Sequence, residues 1–210
     1  MNGLDLMKKN GYFWQWNGDI NGPHALLTSG NHSGLFINAT AACCDPVIIS
    51  KIMDDNLDKS LLDISPNIQP DIIICPGYGA VGFASMLSFI FRIPWGFTDK
   101  HNGIHVLKRF NVRNKRALVV EDVTTTLSSI SDVVTTIEKA GGEIFGDIIT
   151  VFNRSGRIDA RIGESNSKVV GIYNVPPDMY KPDECPYCYL KSEAMKPKEN
   201  WKLFMEYNNY

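Results

Sequence analysis

The stretch Ala117 to Ser129, ALVVEDVTTTLSS, decides how this chain is read. Ala117-Leu118-Val119-Val120 is a short continuous apolar run, the pattern of a strand covered on both faces. It delivers two carboxylates, Glu121 and Asp122, and then a hydroxyl-rich turn through Thr124, Thr125, Thr126, Ser128 and Ser129. Ile130, Val133, Val134 and Ile137 follow at i, i+3, i+4 and i+7, one face of a helix, and Gly141-Gly142 closes it. Adjacent carboxylates at a strand end suit the vicinal hydroxyls of a ribose or a divalent cation. Hydroxyls and free amides at a helix N-terminus suit a phosphate monoester. The same residues also describe an acidic strand end followed by an ordinary Ser/Thr helix cap. The local pattern alone leaves both readings standing.

The neighbouring sequence supplies the frame. Asp45-Pro46 is a cap with Pro at the first helical position, and Val47, Ile48, Ile52 and Met53 predict a helix toward Leu57. Ile72 to Cys75 predicts a buried strand, Pro76-Gly77-Tyr78-Gly79 a turn, Val81 to Phe91 an apolar helix and Trp95 to Thr98 another strand. Ile144 to Phe152 and Val169 to Tyr173 read as two further strands. Strands alternating with helices mean βαβ units: an α/β fold, doubly wound, with a mostly parallel sheet and flanking helices. Ligands then bind beyond the carboxyl ends of the strands. Residues 1–210 are expected as a single domain, with 176–210, rich in Pro and polar residues, an irregular C-terminal wrap.

Composition narrows the function. The chain has 210 residues, 44% hydrophobic, with 21 Lys+Arg against 23 Asp+Glu and a net charge of -2. That balance argues against nucleic-acid binding, which needs a basic excess, while leaving room for a small anion. No stretch approaches the roughly 18 apolar residues of a membrane span. The N-terminus, MNGLDLMKKNGYFWQW, matches neither a signal nor a transit peptide, so a cytoplasmic protein is expected. The five Cys (43, 44, 75, 185, 188) are irregularly placed and do not form a secreted disulfide framework. Cys185-Pro186-Tyr187-Cys188 has the spacing of half a zinc site, which Cys43-Cys44 or a His would complete. With no second such pair, the expectation is two reduced tail cysteines, and no metal ligand is assigned.

The stretch ALVVEDVTTTLSS resembles the 5-phosphoribosyl 1-diphosphate (PRPP) signature of type I phosphoribosyltransferases. The resemblance implies that Glu121 and Asp122 hold the ribose hydroxyls. It implies that Thr125, Thr126, Leu127, Ser128 and Ser129 wrap the 5-phosphate, with Thr124 also among the PRPP-binding residues. Pro76 to Gly82, with Tyr78 and Gly79, corresponds to the family's loop facing the pyrophosphate. Phe97 to Phe110, FTDKHNGIHVLKRF, resembles the mobile catalytic loop of the orotate branch, whose basic side chains reach the pyrophosphate, often across a dimer interface. Lys100 and Arg109, with Asp122, are then the catalytic candidates, and Lys108 stands beside them. A solvated basic hairpin is the plainer reading of that loop, in which His101 and His105 are merely exposed.

Three more features resemble the orotate branch. His24 to Asn38, HALLTSGNHSGLFIN, is similar to its N-terminal substrate segment, with Ser29, Gly30, Ser33 and Phe36 in the pattern. Phe152-Asn153-Arg154 ends a strand where that branch carries an Arg against the orotate carboxylate, a task suited to a bidentate guanidinium. Cys185-Pro186-Tyr187-Cys188 resembles a Cys-Pro-x-Cys near the end of some orotate-type chains. The likeness covers roughly Phe13 to Pro197. It implies transfer of phosphoribosyl from PRPP to a base, with orotate first, Mg²⁺ as cofactor, a homodimer, residues 1–45 as a substrate-side hood, and a place in pyrimidine biosynthesis. A PRPP-binding regulator without catalysis and an enzyme for another base are the alternatives. The departures are Leu127 and Ser128 where the family loop often has Gly, which lets backbone approach a phosphate, Thr28 where some members have Lys before the Ser-Gly pair, and Gly79 where some have Lys.

Overall fold

Alternate residues of the central strands face opposite ways, and here both sets are apolar: Ile72 and Ile74 on one side of the sheet, Ile73 and Cys75 on the other, all buried. A sheet so covered needs layers on both faces. The structure, a computed structural model, describes residues 2–56, 69–175 and 178–207. It divides into two compact units.

The smaller unit begins with α1 (Gly3–Lys9) and four short strands, β1 (Phe13–Gln15), β2 (His24–Leu26), β3 (His32–Ser33) and β4 (Leu35–Ile37). It is completed from the other end of the chain, as given below.

The larger unit holds α2 (Ala39–Ala42), α3 (Pro46–Asn56), β5 (Ile72–Pro76), α4 (Val81–Phe91), β6 (Trp95–His101), β7 (Ile104–Val106), β8 (Arg116–Thr124), α5 (Ser128–Lys139), β9 (Glu143–Ile144), β10 (Ile148–Asn153), β11 (Arg161–Ile162) and β12 (Ser167–Asn174). Asp45 caps α3 as expected, its Oδ1 accepting from the Val47 N–H at 2.9 Å. Leu57 lies outside the described residues. The sheet runs β11-β12-β10-β8-β5-β6-β7, with β9 pairing β8. Its five central strands are parallel, and only β7 and β11 run antiparallel to their neighbours. The chain passes from β5 through α4 to β6 on one side and from β8 through α5 to β10 on the other. The doubly wound, mostly parallel sheet expected from the sequence is therefore present, and its topological switch point lies between β5 and β8.

The helix face Ile130, Val133, Val134 and Ile137 is fully buried against Ile72, Ile74, Ala117 and Val119. Burying each such side chain stabilises by about 1.5–3 kcal/mol. Helix α5 stops where Gly141 takes φ +81. Two strand readings change. The run Ile144 to Phe152 is broken at Gly146 (φ +60) into β9 and β10. Trp95 to Thr98 continues to His101 and turns back through Asn102 (φ +50) and Gly103 (φ +82), a pair suited to a tight hairpin.

The tail, expected as an irregular wrap, carries a 3-10 turn (Pro182–Glu184), α6 (Pro186–Tyr189), β13 (Ala194–Met195) and α7 (Pro197–Glu206). These belong to the smaller unit, where β13 lies parallel to β2 and β2 pairs β3. Its core is small and aromatic: Phe204 meets the edge of Trp14 at 4.7 Å between ring centroids. No helix among the described residues is long and apolar enough to cross a membrane.

Candidate active site

Strand β8 carries its apolar run straight into Glu121 and Asp122, so both acids sit at the switch point beside the end of β5. They are only 5% and 8% exposed. The Asp122 N–H donates to Glu121 Oε1 at 3.2 Å, and Thr40 Oγ1 donates to Asp122 Oδ2 at 3.3 Å. Burial first, and then the neighbouring Asp122 charge, push the Glu121 carboxyl well above the usual range. Two carboxylates this close and this dry favour a ligand that brings hydroxyl donors or positive charge.

The turn after β8 delivers Thr125, half-buried, and the exposed Thr126 and Ser128, whose hydroxyls lie 2.9 Å apart. Thr124 is buried, and its hydroxyl has no partner among the described residues. Leu127 stands at the N-cap of α5 with φ +65 and gives the helix no side-chain cap, so the first amides of α5 face the turn unblocked by one. A positive φ is where glycine is favoured and an L-residue costs about 1–2 kcal/mol, which accounts for the small residues usual at this point of the loop. The Leu127 side chain is half-buried and packs against the core cluster beneath α5.

The loop after β5 presses on the acids. A Cβ on Gly79 would fall 2.3 Å from Asp122 Oδ2, so a side chain there displaces the carboxylate. Tyr78 is exposed, and its hydroxyl donates to Asp99 Oδ1 at 2.9 Å. With Phe97, Asp99, Lys108, Arg109 and Phe110 it lines a cavity of about 390 Å³, which brings Lys108 and Arg109 beside the loop that follows β5. Lys100 projects from β6, exposed on the hairpin. The segment Phe97 to Phe110 is thus a hairpin extending the sheet. His101 is exposed, as the plainer reading had it, but His105 is buried. Its Nδ1 lies 2.8 Å from Thr98 Oγ1 and its Nε2 3.4 Å from Ser129 Oγ, tying the hairpin to the start of α5. Burial, then the Lys100 charge, lower its affinity for a proton.

Arg154 follows β10, 4% exposed, and its N–H donates to the Thr124 carbonyl at 2.8 Å. At that burial the guanidinium lies out of bulk water. In the smaller unit Phe36 lines a cavity of about 420 Å³ with Leu27, Thr28, Gly30 and Pro197, while Ser29 is exposed and accepts from the Asn31 N–H at 3.4 Å. The larger unit therefore gathers Glu121, Asp122, the 124–129 turn, Gly79 and Arg154 at adjoining strand ends. Thr40 escaped the sequence reading, since a lone Thr 82 residues from its partner carries no local signal.

A doubly wound sheet with paired acids and a hydroxyl turn at its switch point defines a type I phosphoribosyltransferase. No protein-family model matches the chain. It is 30% identical over 176 residues to the orotate phosphoribosyltransferase of Novosphingobium aromaticivorans, covering 83% of this chain and 87% of that one. The chain belongs to the orotate phosphoribosyltransferase family, within the pentosyltransferase class of enzymes. It is also 29% identical over 177 residues to the orotate phosphoribosyltransferase of Caldicellulosiruptor saccharolyticus, covering 83% and 87% of the two chains. Among solved structures its fold is similar to orotate phosphoribosyltransferase from Aeropyrum pernix, with a TM-score of 0.59, 19% identity and 81% and 92% of the chains covered.

Proposed function

We propose that the chain moves the 5-phosphoribosyl group of PRPP onto orotate, giving the nucleotide monophosphate and pyrophosphate. The observation that carries this reading is the buried pair Glu121-Asp122 at the end of β8, followed at once by the hydroxyls and open amides that begin α5. The carboxylates accept from the two ribose hydroxyls. Thr124, Thr125, Thr126, Ser128 and Ser129, with the backbone at Leu127, hold the 5-phosphate at the positive end of the helix. Arg154 pairs with the orotate carboxylate.

The bond from the anomeric carbon to the diphosphate oxygen breaks, and its electron pair leaves with pyrophosphate. The orotate ring nitrogen forms the new bond, and its proton passes to the departing diphosphate or to solvent. Tyr78 and Gly79 face the leaving group, and Lys100, Lys108 and Arg109 supply positive charge where negative charge develops. Mg²⁺, when bound, would supply positive charge to the diphosphate oxygens, and the buried acids Glu121 and Asp122 are the donor set here that would fit such a cation. The protein's own part is positioning and exclusion of water, which would otherwise hydrolyse PRPP. A cytoplasmic homodimer is part of the same reading.

The test is pyrophosphate release from PRPP and Mg²⁺ with a panel of orotate, uracil, adenine and a pyridine carboxylate. Release with orotate is expected. Release with another base and not orotate reassigns the acceptor, and a background rate with all of them defeats the proposal.

A further inference from the structure

The segment His24 to Asn38, read from sequence as a substrate segment, also places two histidines against the Cys-Pro-Tyr-Cys turn. Strand β2 begins at His24, β3 begins at His32, and α6 spans Pro186–Tyr189 between Cys185 and the end of the turn. One ligand atom from each of His24, His32, Cys185 and Cys188 lies within 4.8 Å of every other. His24 Nε2 is 2.9 Å from His32 Nδ1, 3.6 Å from Cys185 Sγ and 3.5 Å from Cys188 Sγ, and Cys188 Sγ is 3.2 Å from His32 Nδ1. All four belong to the smaller unit.

Hydrogen bonding alone accounts poorly for this convergence. The Ser192 hydroxyl donates to the Gly22 carbonyl at 2.7 Å. Its oxygen must then accept from His24 Nδ1, 3.1 Å away. That fixes the tautomer and leaves Nε2 a bare lone pair. One imidazole nitrogen, one thiol and a second thiol all crowd that lone pair, which accepts from one donor at a time. A single cation at the centre satisfies all four atoms together. Zinc–nitrogen bonds of about 2.0–2.1 Å and zinc–sulfur bonds of about 2.3 Å, arranged tetrahedrally, put the ligand atoms about 3.3–3.8 Å apart. The 3.5 and 3.6 Å separations from His24 Nε2 to the two sulfurs fall in that range, the 2.9 and 3.2 Å contacts at His32 Nδ1 are a few tenths of an ångström shorter, and every pair lies within 4.8 Å, so small side-chain adjustments would close the tetrad on such an ion.

The surroundings are those of a structural site. His24 and Cys185 are fully buried and His32 nearly so. The Ser192 contact is the outer hydrogen bond that characteristically orients a ligating histidine. The Tyr187 ring lies over His24 at 5.5 Å, and its hydroxyl is anchored on Asp178 at 2.9 Å. Four protein ligands leave no open position for substrate.

We propose that His24, His32, Cys185 and Cys188 bind one structural Zn²⁺ that fastens the Cys-Pro-Tyr-Cys turn to β2 and β3. The reading of Cys185 and Cys188 as two reduced tail cysteines gives way to this. Their partners are the two histidines, while Cys43 and Cys44 take no part in the tetrad.

Elemental analysis of the full chain, produced with zinc and purified under reducing conditions, tests the proposal. One equivalent of zinc per chain is expected. Cys185→Ser with Cys188→Ser should abolish it, Cys44→Ser should leave it, and His24→Cys should keep metal, because three cysteines and a histidine also make a closed zinc site. Cobalt(II) exchanged into the wild type should show tetrahedral ligand-field bands and thiolate-to-metal charge transfer, which decides the matter even if the double variant fails to fold. A chain that stays metal-free after zinc reconstitution overturns the proposal, as does zinc that survives the double substitution or a cobalt spectrum without thiolate charge transfer.

Discussion

The two units of this chain are built on opposite principles. The larger is a parallel sheet whose strands are apolar on both faces, and its polar chemistry is confined to the strand ends, where Glu121, Asp122 and Arg154 are buried. The smaller has strands of two or three residues and a modest aromatic core, and polar side chains converge at its centre. Where a sheet supplies rigidity, charge can be buried at its strand ends. Where the core is small, buried His and Cys are better explained as the fastening itself, since small cores commonly need a metal or crosslink.

The largest expected effect separates substrate binding from fold in the larger unit. Removing one partner of a buried charge pair costs on the order of 2–5 kcal/mol, roughly thirty-fold to several thousand-fold in affinity. Arg154→Ala should weaken apparent orotate affinity by that factor at saturating PRPP, while PRPP binding measured by calorimetry stays nearly intact. An unchanged orotate affinity would remove Arg154 from the base site. Equal loss for both ligands would mean that the substitution damages the strand end as a whole.

The matching experiment in the smaller unit touches no ligand atom. Ser192→Ala removes the acceptor of His24 Nδ1. Loss of such an outer hydrogen bond typically lowers metal affinity about 10–100-fold. A chelator competition should show that loss with the tetrad otherwise complete. If zinc affinity is unaltered, Ser192 does not orient the ligand, and the polar centre of this unit is looser than its geometry suggests.

What the sequence disclosed follows the same division. Strands buried on both faces appear as continuous apolar runs, so β5, β8 and β10 were legible, and β12 was legible by its apolar residues Val169 to Tyr173. Their ends were not, because β8 continues through polar Glu121 to Thr124 and β6 through Asp99 to His101. The acid pair and the hydroxyl turn were legible because they are contiguous in the chain. Thr40, Gly79's contact with Asp122 and buried His105 were not, since each depends on a tertiary approach. In the smaller unit almost nothing could be read. Its strands are shorter than any periodicity, and its tetrad joins residues 161 and 164 positions apart.

A third experiment asks what the strand-end acids cost the larger unit. Glu121 holds its proton more tightly when folded than its ordinary value of 4.5. The folded state therefore binds more protons than the unfolded one as pH rises past that value. The contribution of Glu121 to stability should be greatest below it and decline as pH climbs through the raised folded value. Urea unfolding of the ligand-free protein should show this decline, and Glu121→Gln should flatten it while impairing turnover. Identical pH profiles for the two proteins would mean that the acid is not penalised by burial, and that the pair is less poised for a ligand than proposed.

The smallest effect expected is at Leu127, where two terms oppose each other. Leu127→Gly relieves the positive φ of +65, worth about 1–2 kcal/mol. It also gives up the packing of a half-buried side chain against the core under α5. Full burial of a leucine is worth about 1.5–3 kcal/mol, so half of it roughly matches the strain relieved. Net stability should move by less than about 1 kcal/mol. Because the side chain is engaged in packing against the core, PRPP affinity should also change little, within about twofold by calorimetry. A marked tightening would show that the side chain does obstruct the 5-phosphate. A marked weakening would show that core packing under α5 sets the geometry of the turn, so that the apolar frame and the polar strand end of the larger unit are less separable than the contrast with the smaller unit implies.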